Sequence, residues 1–402
     1  MKAGWQTKTL AETCEVFADG DWVESKDQSS EGIRLIQTGN VGQGVFKDRA
    51  EKARYISEAT FERLRCTEIF EGDCLISRLP DPVGRSCILP DTGERMITAV
   101  DCTIVRFNPK HLIPAFFNFY SQALDYLKAV EAETTGTTRN RISRSNLGQV
   151  AIPVPPLPEQ QRIIGILDQA FEGIATAKAN AEKNLQNARA LFDSHLQSVF
   201  TQRGEGWVDT TIGQHIRFID YRGKTPVKTE SGLRLITAKN VKMGYVQETP
   251  MEFIAPKNYD SWMTRGIPQM GDVLFTTEAP LANVAQLDTD EKVAFAQRII
   301  IMQPDALKLD STFLKYLLLS QSVQQRIHAK GTGATVKGIK ASLLKTIEIS
   351  FPKSVAEQRQ IVAKLDDLRA ETQRLESLYQ RKLAALDALK KSLLHKAFAG
   401  EL

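Results

Sequence analysis

The sequence predicts an α+β chain in which two α/β domains are each followed by a long helix, the two helices packing as an antiparallel coiled coil. Three observations carry that expectation. First, a strand–corner–helix junction, Ile152-Pro-Val-Pro-Pro-Leu-Pro-Glu-Gln-Gln-Arg-Ile-Ile-Gly-Ile-Leu-Asp168, largely returns as Ile349-Ser-Phe-Pro-Lys-Ser-Val-Ala-Glu-Gln-Arg-Gln-Ile-Val-Ala-Lys-Leu-Asp366. Second, each junction runs into a stretch of helical periodicity too long for a globular core. Third, 402 residues exceed what one ordinary core holds and suit several compact units.

A hydrophobic fraction of 42% with 25% charged residues is that of a soluble globular protein. No apolar run approaches the ~18 residues that cross a bilayer. The segment Met1-Lys-Ala-Gly-Trp-Gln-Thr-Lys8 lacks an apolar signal region, so a cytoplasmic location with no membrane partner is expected. A net charge of +4 permits nucleic acid as a partner without requiring it. The five cysteines, Cys14, Cys66, Cys74, Cys87 and Cys102, form no C-x-x-C pair and read as reduced, apolar core residues rather than a metal or disulfide framework.

In order along the first domain, Asp19-Gly-Asp-Trp22 is a turn and Gly32-Ile-Arg-Leu-Ile-Gln37 alternates like a strand. Thr38-Gly-Asn-Val-Gly-Gln-Gly44 follows as a glycine-rich loop. Gly72-Asp73 turns into the strand Cys74-Leu-Ile-Ser77, which leads to the irregular Arg78-Leu-Pro-Asp-Pro-Val-Gly-Arg85. Residues 97–107 are β-rich, whereas 114–130 have helical spacing through Phe116, Phe117, Tyr120, Leu124 and Leu127. Thr134-Thr-Gly-Thr-Thr-Arg-Asn-Arg-Ile-Ser-Arg144 then offers hydroxyls, backbone N–H groups and guanidinium forks, the donors that phosphate oxygens accept from.

The first helix is expected from Glu159, where an acid complements the N-terminal dipole after Pro153, Pro155, Pro156 and Pro158 have stiffened the corner. One heptad set holds Ile163 and Leu191, with polar Asn184 in the seam; the other holds Leu167 and Ile174. At ~1.5 Å per residue the helix is roughly 60 Å long. The second, 356–398, keeps that phase, with Ile361, Leu368, Leu375 and Leu389 in one set and Leu365 and Leu386 in the other. These ten apolar positions are the expected coiled-coil contacts. With only Pro352 in its proline run, the second corner is expected to be the less rigid.

The second domain repeats the first. Gly32-Ile-Arg-Leu-Ile-Gln-Thr-Gly-Asn-Val41 is echoed by Gly232-Leu-Arg-Leu-Ile-Thr-Ala-Lys-Asn-Val241, and Gly72-Asp73 by Gly271-Asp272. Ile142, Ser145, Leu147, Val150 and Ile152 keep step with Ile339, Ser342, Leu344, Ile347 and Ile349. Frame positions match while loops diverge, as expected when two copies hold one fold and read different ligands.

These repeated elements resemble the specificity subunit of type I restriction–modification systems over essentially the whole chain. The signature is the proline-rich junction with Glu159-Gln160; the second junction keeps Glu357-Gln358 but has Phe351-Pro-Lys353 in place of the double proline. The resemblance implies a first target recognition domain at 1–158, a central spacer helix at 159–203, a second recognition domain at 204–354 and a distal spacer helix at 355–402. It implies that each domain reads one half of a split double-stranded DNA target, and that the helices space the domains. It also implies docking of two methyltransferase subunits that use S-adenosylmethionine, and of restriction/translocase subunits that use ATP and Mg2+. No cofactor would be bound by this chain, and no catalysis would be its own. The same module in a type IIB-like methylase–nuclease assembly is the alternative.

The residues independently offer little enzyme chemistry. No G-x-x-x-x-G-K-[ST] phosphate loop is present, and the five histidines are scattered. The nearest thing to a metal-dependent nuclease is Asp272 with Asp290-Glu-Lys292, which the first copy does not reproduce beyond Asp73. Candidate DNA contacts come from loops leaving the strand frame, where Arg, Asn and Lys suit base edges and Thr suits phosphate. In the first domain they are Arg34, Asn40, Arg78, Arg85, Thr138, Arg139, Arg141 and Arg144. In the second they are Arg222, Lys224, Thr225, Lys239, Asn240, Lys242, Lys330, Thr332, Thr335, Lys337 and Lys340. For any single one a solvated surface charge is the alternative, and strand alternation offers Arg34 and Arg234 a structural face.

Overall fold

The computed structural model describes residues 4–136, 140–221, 225–333 and 335–402. In the first domain, β1 (Gln6–Thr9) leads to β2 (Cys14–Asp19), β3 (Ile33–Ile36), β4 (Tyr55–Ile56), α1 (Glu58–Leu64), β5 (Cys74–Ser77), β6 (Ser86–Ile88), β7 (Met96–Thr98) and β8 (Cys102–Phe107). Then come α2 (Pro114–Tyr120), α3 (Leu124–Ala132), α4 (Arg144–Gln149), β9 (Ala151–Val154) and the long α5 (Leu157–Thr201). An antiparallel sheet has the order β2-β8-β5-β6. A smaller one, β4-β3-β7, pairs β3 parallel with β7, and β1 pairs antiparallel with β9. The four cysteines at 66, 74, 87 and 102 are buried, and burial pushes the Cys87 thiol up to about 12, so they pack as apolar residues.

The second domain contains β10 (Trp207–Thr211), α6 (Ile212–His215), β11 (Ile216–Asp220), β12 (Lys228–Thr229), β13 (Leu233–Ile236), β14 (Phe253–Ile254), α7 (Tyr259–Trp262) and β15 (Val273–Thr277). It continues with β16 (Leu281–Gln286), β17 (Ala294–Phe295), β18 (Ile299–Pro304), α8 (Ser311–Leu319), α9 (Gln321–Lys330), α10 (Ala341–Lys345), β19 (Glu348–Pro352) and α11 (Val355–Ala399). Its sheets, β11-β18-β15-β16, β12-β14-β13-β17 and β10-β19, reproduce the first domain's, with β12 added at an edge. Among the described residues no helix is long and apolar enough to cross a membrane.

Each corner is held by a buried glutamine. Gln160 donates from Nε2 to the carbonyls of His111 and Pro155 (2.8 Å each), and its Oε1 accepts from the Ile113 N–H (2.9 Å). Gln358 repeats the pattern with Lys308, Pro352 and Asp310, all at 2.8 Å. Both side chains are fully buried. The expectation of a looser second corner therefore meets a corner tied by the same three bonds. The first helix also starts two residues before Glu159, at Leu157, because a proline in the first turn gives up an N–H that the helix leaves unpaired anyway.

Two compact units divide the chain: Met1–Glu182 with Gln380–Leu402, and Lys183–Tyr379. Both boundaries fall within a long helix, so each unit holds part of α5 and part of α11. In the first unit, Leu394 and Ala397 share a core with Ile163 and Leu167, and the Phe398 ring meets Phe116 and Tyr120 at 5.3 and 5.0 Å. Lys390 lies over the Phe171 ring at 4.5 Å, and Lys178 pairs with Asp387. Partners that rise along α5 fall along α11, so this helix pair is antiparallel. In the second unit, Arg189 pairs with Glu376 (3.0 Å), Arg369 lies over Phe192 (5.5 Å), and Leu196 and Phe200 share a core with Leu365. That pair is antiparallel too.

The seam is not the strict heptad expected. Ile163, Leu167, Ile174 and Leu365 are buried, and Ile361, Leu368, Leu375 and Leu386 are half-buried, but Leu191 and Leu389 are about half exposed at 51% and 47%. Asn184 is exposed as well, and Phe192 and Lys390 take the inward positions one residue on. An ideal helix falls behind a seven-residue repeat by ~20° per heptad, so over four heptads the buried stripe moves by nearly one residue.

Candidate nucleic-acid interface

Three loops meet in each domain. In the first they are 37–54 after β3, 78–85 between β5 and β6, and 134–143 between α3 and α4. The first two are joined by Arg85, which is buried and gives every donor group to main-chain carbonyls. Its Nε reaches Val41 (2.7 Å) and Nη2 Thr38 (2.8 Å), while Nη1 reaches Leu79, Pro80 and Pro82 at 2.8, 2.6 and 3.0 Å. Gly84 ends that loop at φ +83°, where a Cβ would stand 2.8 Å from Val130 Cγ1; the Tyr126 hydroxyl donates to its carbonyl at 3.0 Å. In the third loop Thr135 and Arg141 pair antiparallel, and Ile142 N–H donates to the Arg78 carbonyl (3.3 Å).

Charged side chains gather where the second and third loops touch. Arg141 pairs with Asp101 (2.8 Å), Arg78 with Asp19 (3.1 Å), and Arg144 with Asp19 (3.4 Å) and the Phe17 carbonyl (3.1 Å). Burial lowers the pKa of Arg78. Beside them is a concavity of about 710 Å³ lined by Pro80, Asp81, Pro82, Val83, Leu127, Glu131, Thr134 and Asn140.

The second domain assembles the same loops with other chemistry. Asn283 stands in for Arg85 and donates from Nδ2 to the Val241 carbonyl (2.8 Å). Thr332 and Gly338 pair antiparallel, and Ile339 N–H donates to the Thr277 carbonyl (2.9 Å). Thr277, Glu278, Gln297, Arg298, Thr332, Val336, Gly338, Ile339 and Lys340 line a concavity of about 270 Å³, across which Arg298 pairs with Glu278 at 2.9 Å.

Several expected contacts are instead part of the scaffold. Arg34 is buried and paired to Asp48 and to Glu94 (2.7 Å), because β3 lies between two strands with all four side chains buried. Asn40 and Asn240 are buried braces. Asn40 Oδ1 accepts from Gln37 N–H (2.9 Å) and Nδ2 donates to the Lys47 carbonyl (2.8 Å); Asn240 does the same with Thr237 (3.0 Å) and Gln247 (3.0 Å). Arg78 and Arg85 are buried main-chain ties. Lys330, although exposed, is held on Thr346 Oγ1 at 2.7 Å. Thr138, Arg139, Arg222 and Lys224 lie outside the described residues.

Exposed at the face are Arg141 and Arg144 in the first domain and Thr332, Thr335, Lys337 and Lys340 in the second. Lys239 is exposed and Lys242 half-buried on the 237–247 loop, whereas Thr225 lines a different concavity, with Trp262 and Asn258. Asp19, Asp101, Glu278 and Arg298 were missed. For two of them a positional signal exists: Asp101 and Arg298 occupy equivalent places in the two copies and carry opposite charge.

The geometry of Asp272 does not favour the nuclease alternative. Asp272 is buried, accepting from Gln269 N–H and from Gln303 Nε2 at 2.8 Å each, and burial raises its pKa. Asp73 is likewise spent, on Arg106 at 2.6 Å. Among the described residues no group of three or more His, Cys, Asp and Glu side chains is placed to hold a metal ion.

A sequence model of the family described as "Type I restriction modification DNA specificity domain" matches residues 2–186 and 254–382. The chain belongs to that family. It is 25% identical over 310 residues to the EcoBI specificity subunit of Escherichia coli, a match covering 71% of this chain and 65% of that one. The EcoKI specificity subunit of Escherichia coli K12 is 24% identical, with 75% and 68% covered. The MjaVIII specificity subunit of Methanocaldococcus jannaschii is 22% identical, with 75% and 73% covered. Two solved structures share the fold. A chain from a type I restriction–modification system has a TM-score of 0.81 at 19% identity, covering 100% of this chain and 99% of its own. The HsdS subunit of Thermoanaerobacter tengcongensis has a TM-score of 0.63 at 18% identity, with 100% and 98% covered. The family model thus matches in both halves of the chain.

Proposed function

We propose that this chain is the DNA-recognition subunit of a type I restriction–modification complex and reads an asymmetric bipartite target, one half-site per domain. The supporting observation is the pair of loop faces: one backbone frame, built twice, presents Arg141 and Asp101 in one copy and Glu278 and Arg298 in the other. Arginine pairs with guanine and a carboxylate with the cytosine amino group, so the opposite charges of Asp101 and Arg298, at equivalent places in the two copies, suit different base sequences. The subunit works in the cytoplasm and catalyses nothing itself. Its antiparallel helices space the domains and, with them, receive two methyltransferase subunits that use S-adenosylmethionine. Restriction/translocase subunits bring ATP and Mg2+ chemistry to the same assembly.

The test is to map methylated adenines in a host expressing this chain with its methyltransferase. The expected result is one split motif with two unlike half-sites and a constant gap. A single continuous motif, or a methylation pattern indifferent to this chain, would overturn the reading.

A further inference from the structure

The first domain has a basic cleft beside the loop after β3. Gln37, Asn40, Arg49, Lys52, Ala53 and Arg54 line about 390 Å³, with no acid among them. Arg49, Lys52 and Arg54 are exposed, and none of the three has an ion-pair partner among the described residues. The cleft is shaped rather than incidental. Arg49 turns the chain at φ 51° into the short helical turn 50–52, whose Lys52 N–H donates to the Arg49 carbonyl (2.9 Å). Its guanidinium lies over Gly39, where a Cβ would stand 2.2 Å from Nη1, so any side chain at 39 would displace it.

The cleft also shares a rigid connection with the recognition face. Arg85 holds Thr38 and Val41 on one side and Leu79, Pro80 and Pro82 on the other, so the loop that floors the cleft is tied to the loop that borders the one at 134–143. In the second domain the corresponding positions are Lys239 for Gly39 and Glu252 for Arg54, the latter fixed by Leu235 N–H on the Glu252 carbonyl as Leu35 N–H is on Arg54. Glu252 is paired with Lys228 at 2.7 Å. The basic cleft is therefore not a property of the repeated frame.

We infer that this cleft takes a backbone phosphate of the DNA flanking the first half-site, with Arg49, Lys52 and Arg54 as its donors. Unpaired cations around a concavity wide enough for a phosphate group fit an anion of that class, and phosphate contacts set register without reading sequence. The inference rests on the proposed DNA-reading role and asks more of it.

The experiment uses the full chain assembled with its methyltransferase and measures DNA affinity against salt concentration. The variants are Lys52→Gln/Arg54→Gln and, as a surface-charge control beside the corner, Lys110→Gln. The expected result is a salt slope shallower by about 1 for each phosphate no longer neutralised, with the same fold-loss on cognate and scrambled DNA and no change for the control. An unchanged slope overturns the inference, as does a loss confined to cognate DNA, which would mean base reading. In a second arm, equilibrium dialysis with inorganic phosphate distinguishes a free anion. Saturable binding lost in the double variant, without a change in the DNA slope, also overturns it. If the unaltered complex shows no sequence preference at all, it is the proposed function that fails, independently of the cleft.

Discussion

The two loop faces share hydrogen bonds and differ in charge. Arg78 N–H donates to the Asp101 carbonyl and Thr277 N–H to the Arg298 carbonyl, both at 2.9 Å; Ile142 docks on Arg78 as Ile339 docks on Thr277. Around those matched amides, the first domain sets an arginine at 78 and an acid at 101, and the second sets threonine and arginine. These matched bonds are made by main-chain groups, which are indifferent to side-chain identity, so the side chains around them are free to diverge. That separation lets the chemistry of the loops change without repeated redesign of the core.

The comparison breaks first if the cores are not equivalent. Phe200 is buried against Phe313 (5.4 Å) and Trp207 (6.4 Å), whereas Phe398, at the same point of the second helix, is half-buried on Phe116 and Tyr120. Phe200→Ala is expected to cost ~3–5 kcal/mol and Phe398→Ala less, read from denaturant unfolding of the full chain. Equal losses would show that the two helix ends anchor alike despite their different burial.

Next in size are the corner glutamines. Gln160→Ala or Gln358→Ala leaves one N–H and two carbonyls short of a buried partner, and each such group left unsatisfied costs ~1–3 kcal/mol before water compensates. The two variants are expected to lose equal stability, within about 0.5 kcal/mol, because the three bonds are matched in length. A clearly smaller loss for Gln358→Ala would restore the looser second corner that the sequence suggested.

The duplication, both helices and the strands near 32–37, 74–77 and 97–107 were legible in the sequence because apolar periodicity and repeated motifs report burial directly. Edge strands such as β1 and β2, by contrast, carry too little apolar alternation to stand out. The faces were less so. Asn40, Arg78 and Arg85 were read as DNA contacts, since nothing in the sequence says that a guanidinium or amide will be consumed by carbonyls from a loop far along the chain; for Arg34, strand alternation did point to the structural face it occupies. Gln160 and Gln358 were visible as a repeated motif, but their clamp depends on carbonyls at 111 and 308, which only the folded chain brings near. Arg298 had no motif around it; its meaning comes from the opposite charge of Asp101 at the same place in the other copy.

Side-chain exchange at the face sharpens the comparison further. Arg298→Ala is expected to remove ~1–3 kcal/mol of discrimination at one base position of the second half-site, leaving the first half-site unchanged. Arg141→Ala is expected to do the converse. The measurement is affinity for a panel of single-base variants of the mapped target; loss at both half-sites from one substitution would mean that the domains do not read independently.

The smallest expected effect tests the helices. Leu191 and Leu389 belong to the apolar heptad sets by sequence, yet both are about half exposed, because a nearly straight helix lets a seven-residue pattern drift off its seam. A true seam position such as Leu167, fully buried, is expected to lose ~2–5 kcal/mol on truncation to alanine. Leu191→Ala and Leu389→Ala are each expected to fall within about 0.5 kcal/mol of the parent chain, since little apolar surface leaves a buried site and alanine favours helix. Thermal and denaturant unfolding give the answer. Losses near that of Leu167→Ala would mean that these leucines are covered in the working protein, by supercoiling of the pair or by a bound partner.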